Sequence, residues 1–210
     1  MIAPAILVNN FEDFSKQVKK VENLFDYAQI DVMDGIFVPN KSFTEIEKIN
    51  GLKTNLKFEL HLLVEHPLDE LKKWKEIKNV FRILFPIECK DDPEDVIKFC
   101  RQNGWEAGVV LNPETLLTAA EPYYKLVDIV MFMTVYPGRQ GAPFLPEVGE
   151  KIRKFTKLKK RPLCAVDGGI NKQNISQVQS WGVEIFSVGS ALTMSEDIKK
   201  SLKELKALLC

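Results

Sequence analysis

Short runs of β-favouring residues alternate with amphipathic stretches from one end of the chain to the other, and few folds accept that alternation. Residues 2–8 read as a first strand. Across 11–25, Phe11, Phe14, Val18, Val21 and Phe25 then recur three or four apart, with lysines and acids between them, as a surface helix requires. Further strands are expected at 27–33, 55–64, 80–87, 107–111, 129–135, 163–166 and 184–188. The matching helices are expected at 43–49, 68–77, 93–102, 113–124, 148–155 and 172–181. Ile198, Leu202, Leu205 and Leu209 line one face of a closing helix. Eight strands alternating with eight helices in 210 residues is the count of an α/β (β/α)8 TIM barrel, formed by residues 1–210 as one domain. An open doubly wound sheet is the alternative, but the first βα turn has no G-x-G-x-x-G.

Charge narrows the range of partners. Lys plus Arg and Asp plus Glu both number 29, so no net basic field recruits nucleic acid or an anionic membrane, and a small molecule is the expected ligand. Cys89, Cys100, Cys164 and Cys210 form no CxxC pair and read as reduced, packed thiols. The first residues lack a basic region, and no apolar run reaches the roughly 20 residues a bilayer demands. The expectation is a cytoplasmic protein.

Two strings carry the chemistry. Asp31-Val32-Met33-Asp34-Gly35 ends the second strand and Asp167-Gly168-Gly169 ends the seventh. In a barrel, strand ends and the loops after them form the active face, so two carboxylates meet across its mouth. Such a pair suits taking a proton from one face of a carbon and returning one to the other. Alternation along the second strand puts Gln29, Asp31 and Met33 on one face and apolar Ala28, Ile30 and Val32 on the other. Gln29 and Asp31 therefore point into the barrel. Asp34, beside Gly35, fits a turn cap. On the third strand Glu59, His61 and Leu63 share a face. His61 is then a structural residue, a substrate contact or, with Asp31 and Asp167, a ligand of a divalent metal. His66 sits beside Pro67 in a loop and reads as solvent-facing.

Gly168 and Gly169 after the seventh strand, and Gly189 and Ser190 after the eighth, occupy the two loops that usually hold a phosphate in such barrels. Residues 136–141 form a third glycine-bearing mouth loop, in which Arg139 either reaches a phosphate or caps the surface. Met33 and Met133, each near a strand end, are core residues or an apolar cushion over a reacting carbon.

Taken in order, these residues resemble the ribulose-phosphate 3-epimerases. The likeness runs through Ile2-Ala3-Pro4, Asp31 to Gly35 with Phe37-Val38-Pro39-Asn40, His61-Leu62, Leu111-Asn112-Pro113, Met133-Thr134-Val135, Val166 to Ile170 and Gly189-Ser190-Ala191. The resemblance implies a barrel isomerase of carbohydrate metabolism and the pentose phosphate pathway. Such an enzyme interconverts D-ribulose 5-phosphate and D-xylulose 5-phosphate by inverting C3. Asp31 and Asp167 are implied as the acid/base pair. Gln29, Asp31, His61 and Asp167 occupy the positions of the metal ligands. His61, Met33, Met133, Gly138, Gly141, Gly168, Gly169, Gly189 and Ser190 are implied to surround a small phosphorylated ketose. A divalent ion (zinc, iron, manganese or cobalt) and assembly into dimers or larger are implied too.

Three single positions and one loop depart from the family's pattern. Gln29 replaces a histidine, Val8 a serine and Ala165 a glutamate, and the mouth loop reads Tyr136-Pro137-Gly138-Arg139-Gln140-Gly141-Ala142. A neutral amide ligates zinc or iron less well than imidazole, so a weakened metal site is expected. A barrel that binds another ketose phosphate, or binds without turnover, is the alternative function.

Overall fold

The computed structural model describes residues 1–43, 45–138 and 141–209. Eight parallel strands close into a barrel in chain order: β1 (Ile2–Ile6), β2 (Tyr27–Met33), β3 (Lys57–Leu63), β4 (Val80–Pro86), β5 (Glu106–Leu111), β6 (Ile129–Met133), β7 (Leu163–Asp167) and β8 (Ile185–Val188). Strand β1 pairs with both β2 and β8, which completes the ring expected from the alternation. Around it, among the described residues, lie α1 (Phe11–Val21), α2 (Pro67–Trp74), α3 (Pro93–Gln102), α4 (Val148–Thr156), α5 (Ile175–Gln179), α6 (Ser190–Thr193) and α7 (Ile198–Ala207). No helix of the described residues is long and apolar enough to cross a membrane.

Two apolar layers follow from strand alternation. Outward-facing side chains meet the helices in a large core that includes Phe14, Phe58, Trp74, Phe132 and Phe155. Phe14 of α1 stacks on Phe43 at 4.8 Å between ring centroids and meets Phe58 edge-on at 5.8 Å. Inside the barrel a smaller cluster joins Leu84, Val110, Ile129, Met131, Met133, Val135, Ala165 and Ile185. Gly108 of β5 lets this interior close. A Cβ there would overlap Ile129 Cγ2 and stand 2.6 Å from Leu84 Cδ2. Gly108→Ala is expected to destabilise the fold by about 1–3 kcal/mol through overpacking, read from denaturant unfolding.

Three helices are fastened by side chains that accept their first free N–H groups. Asn10 accepts from Asp13, Asp92 from Glu94 and Asp197 from Lys200, at 2.8, 2.8 and 2.9 Å. The first turn of α2 is served from a distance: Asp91 Oδ2 accepts the Leu68 N–H at 2.7 Å, while its Oδ1 lies 3.1 Å from His66 Nδ1. That contact raises the His66 pKa above the ordinary 6.5. The stabilisation is thus fully present below the unfolded-state pKa and is lost as pH rises through the folded one. In an NMR titration Asp91→Asn should bring His66 back towards its ordinary midpoint.

The helix expected at 113–124 is instead a turn followed by two 3-10 turns, Leu117–Ala119 and Glu121–Tyr123. Lys151 Nζ donates to the carbonyls of Asn112, Pro113 and Thr115 at 2.7, 3.0 and 2.8 Å. Those oxygens would have closed the first turn of an α-helix, and Pro122 brings no N–H to a second. The expected helix at 43–49 is a 3-10 helix, Ile46–Gly51. Helix α5 starts later than residue 172 because Asn171 Oδ1 accepts the Gln173 N–H and Asn174 Oδ1 the Asn171 N–H, a turn that competes with helix.

Candidate active site

Register places the polar residues of the mouth side by side. Asp31 of β2 lies opposite His61 of β3, and Asp167 of β7 opposite Ser187 of β8. One layer deeper on β2, Gln29 is fully buried. His61 Nδ1 sits 3.0 Å from Asp31 Oδ1 and 3.2 Å from Asp167 Oδ2, so a single imidazole nitrogen spans both acids. Gln29 Nε2 donates to the same two oxygens, at 2.8 Å to Asp31 and 2.5 Å to Asp167. Its Oε1 accepts the Ser187 hydroxyl at 2.6 Å.

Each carboxylate thus has one oxygen held from below. The other, Oδ2 of Asp31 and Oδ1 of Asp167, accepts no hydrogen bond among the described residues. Both side chains are 13% exposed, at the floor of a cavity of about 310 Å³. That volume lies within the small-molecule range of about 300–1,000 Å³. Burial pushes the Asp31 pKa up, against hydrogen bonds from His61 and Gln29 that pull it down. For His61, burial alone would lower the pKa, but hydrogen bonds to Asp167 and Asp31 outweigh it and raise it to about 10. The two acids favour the charged imidazole, whereas a metal ion on His61 would take the neutral form.

The mouth loops bring the other expected residues to one place. Met33, Met133, Gly138, Gly141, Gly168, Gly169, Gly189 and Ser190 line the cavity with Asp31, His61 and Asp167. Gly168 has φ +114°, and a Cβ there would stand 2.6 Å from Val135 Cγ2, so the turn after Asp167 needs glycine. Met33 and Met133 are both buried and cavity-lining, which joins the two readings open to them. Arg139 lies outside the described residues. His66 is exposed and away from the cavity.

Asp34 is a turn residue: its Oδ1 accepts the Ile36 and Phe37 N–H groups, and its Oδ2 accepts the Glu65 N–H at 2.7 Å, tying the β2 loop to the end of β3. Asn40 then crosses the mouth, its Nδ2 donating to the Gly138 carbonyl at 2.5 Å.

Two further residues, to which the sequence alone assigns no role, support the site. Thr134 donates its hydroxyl towards the carbonyls of Asp167 and Gly168, at 3.0 and 2.6 Å, and so fixes the turn that aims Asp167. Ser187 fixes Gln29. Its signal was available: Ser187 alternates with Ile185 on the inward face of β8, a polar residue in an otherwise apolar strand.

One donor atom each of Asp31, His61 and Asp167 lie within 4.8 Å of one another, a group that can hold a divalent ion. These three fit the divalent metal that the resemblance implies, as an oxygen and nitrogen set at strand ends. Gln29 meets them through its nitrogen rather than its oxygen.

The model of the ribulose-phosphate 3-epimerase family matches residues 1–193. A ribulose-phosphate 3-epimerase of Helicobacter pylori (strain J99 / ATCC 700824) is 32% identical over 211 residues, covering 98% of this chain and 96% of that protein. One of Bacillus subtilis (strain 168) is 32% identical over 213 residues, covering 98% and 97%. Among solved structures, 3-hexulose-6-phosphate synthase from Salmonella typhimurium superposes with a TM-score of 0.69 at 14% identity, covering 99% of this chain and 97% of that one. A mutant tryptophan synthase alpha-subunit from Pyrococcus furiosus does so with a TM-score of 0.70 at 14% identity, covering 98% and 97%. These two likenesses concern the fold. The family match over nearly the whole length, with the paired acids at the barrel mouth, places the chain in the ribulose-phosphate 3-epimerase family.

Proposed function

We propose that the chain interconverts D-ribulose 5-phosphate and D-xylulose 5-phosphate by inverting C3, with Asp31 and Asp167 as the two bases. One observation carries the reading: the two acids, on β2 and β7, line one cavity, each with one oxygen held by Gln29 and His61 and the other accepting no hydrogen bond among the described residues. With C3 between the free oxygens, one carboxylate takes the C3 proton, and the C3–H electron pair moves into a C2–C3 double bond as the C2 carbonyl becomes an oxyanion. The other acid, protonated beforehand, gives its proton to the opposite face of C3, and the carbonyl re-forms. The two acids end with exchanged protonation states.

A proton beside a ketone is too weak an acid for a carboxylate unless the oxyanion is stabilised. A divalent ion held by Asp31, His61 and Asp167 would supply that stabilisation as a Lewis acid. In the ion-free site, His61 and Gln29 each hold one oxygen of both acids, and Thr134 holds the Asp167 turn. Gly168, Gly169, Gly189 and Ser190 are the proposed phosphate end of the site, where backbone approaches an anion closely.

The test is direct: purified protein with D-ribulose 5-phosphate should produce D-xylulose 5-phosphate until the two reach equilibrium, followed by NMR. No product, with the ketose phosphate still raising Tm, would favour a binding barrel without turnover. Cytoplasmic location and dimers or larger assemblies belong to the same proposal. Cell fractionation and sedimentation check them.

A further inference from the structure

Among the described residues, Gln29 contacts Asp31, His61 and Asp167 alike, and it touches the acids as a donor. Its Nε2 carries two hydrogens, and both are committed, to Asp31 Oδ1 and Asp167 Oδ2. The same nitrogen lies 3.3 Å from His61 Nδ1. Those three partner atoms belong to the three side chains that can hold an ion. An ion and the amide N–H groups therefore compete for one place. For an ion to enter, the amide must turn over and offer Oε1. Ser187 permits either face, because a hydroxyl both donates and accepts. The choice falls to the two carboxylates, which select the N–H face.

We infer that Gln29 is a positioning residue that cross-links Asp31 and Asp167 from within the chain, holding them in their working arrangement without a divalent ion. An ion enters only when the amide turns over. The inference rests on the epimerase reading for what those acids do, but its test needs no substrate, so either can fail alone.

Thermal unfolding and calorimetric Mn²⁺ titration test it on the whole chain. The native protein should show the same Tm with EDTA as with Mn²⁺, and weak Mn²⁺ binding. Gln29→Glu keeps the shape and replaces the two donors by a third carboxylate. Its Tm should fall in EDTA and recover when Mn²⁺ is added. A residue that merely fills space would lose the same Tm in both conditions. Gln29→His, which needs no recovery to fold, should bind Mn²⁺ at least about tenfold more tightly than the native chain, the order one partner contributes at a metal site. A native protein that loses Tm in EDTA would overturn the inference. So would native binding of one Mn²⁺ per chain as tightly as in Gln29→His, or a Gln29→Glu variant whose Tm ignores Mn²⁺.

Discussion

Asp31→Asn and Asp167→Asn are each expected to lower ribulose 5-phosphate epimerisation about 100- to 10,000-fold, with KM changed far less than kcat. An amide has the shape of the carboxyl it replaces but neither takes nor returns a proton at neutral pH. Because inversion needs an acid on each face of C3, either substitution alone should remove most of the activity. The second should add little in the double variant, since the two act as a unit. The folded structure should survive. Among the described residues each acid's side chain is held by His61 and Gln29 alone, and an amide can still accept from the Gln29 nitrogen. Steady-state kinetics with unfolding curves on the same samples separate lost chemistry from lost fold.

The second large effect lies deeper in the barrel, starting from Glu59 in the layer beneath His61. Glu59 of β3, Arg82 of β4 and Glu106 of β5 stand opposite one another in register. Arg82 Nη1 meets Glu59 Oε2 at 2.7 Å, while its Nε and Nη2 meet Glu106 Oε2 at 2.7 and 2.6 Å. Its guanidinium also lies 4.8 Å from the Phe81 ring centroid. Glu59 is fully buried, and burial pushes its pKa up against the pull of Arg82. Arg82→Met would strand that acid without its cation, at a cost of about 3–5 kcal/mol. For a chain of this size that is a Tm drop on the order of 10 °C. Replacing both partners, Glu59→Leu with Arg82→Met, should recover most of the loss, because no buried charge is then left unpaired. Denaturant unfolding of the single and double variants measures both.

Much of this architecture was legible because a barrel repeats one unit eight times. Alternation alone assigned Asp31 and His61 to the inside, and the acid-glycine strings marked the ends of β2 and β7. Helices failed where a distant side chain decided the matter. Lys151, far along the chain, takes the carbonyls after β5 and prevents a helix that propensity favours. Gln29 shows a similar limit. Its place beside the acids was readable from period-two alternation, whereas the face its amide shows them is set by Asp31 together with Asp167, 138 residues away. Nor does strand alternation reveal that Glu59 is answered by Arg82, since that pairing depends on the register between neighbouring strands.

In the proposed mechanism Asp31 and Asp167 serve opposite faces of C3. Deuterium exchange at C3 in D2O, measured from each epimer separately, tests it most directly. In Asp31→Asn one epimer alone should exchange its C3 proton, in Asp167→Asn the other epimer alone, and neither variant should interconvert the two. Exchange of the same epimer in both variants, or inversion that survives either substitution, would contradict the two-base account.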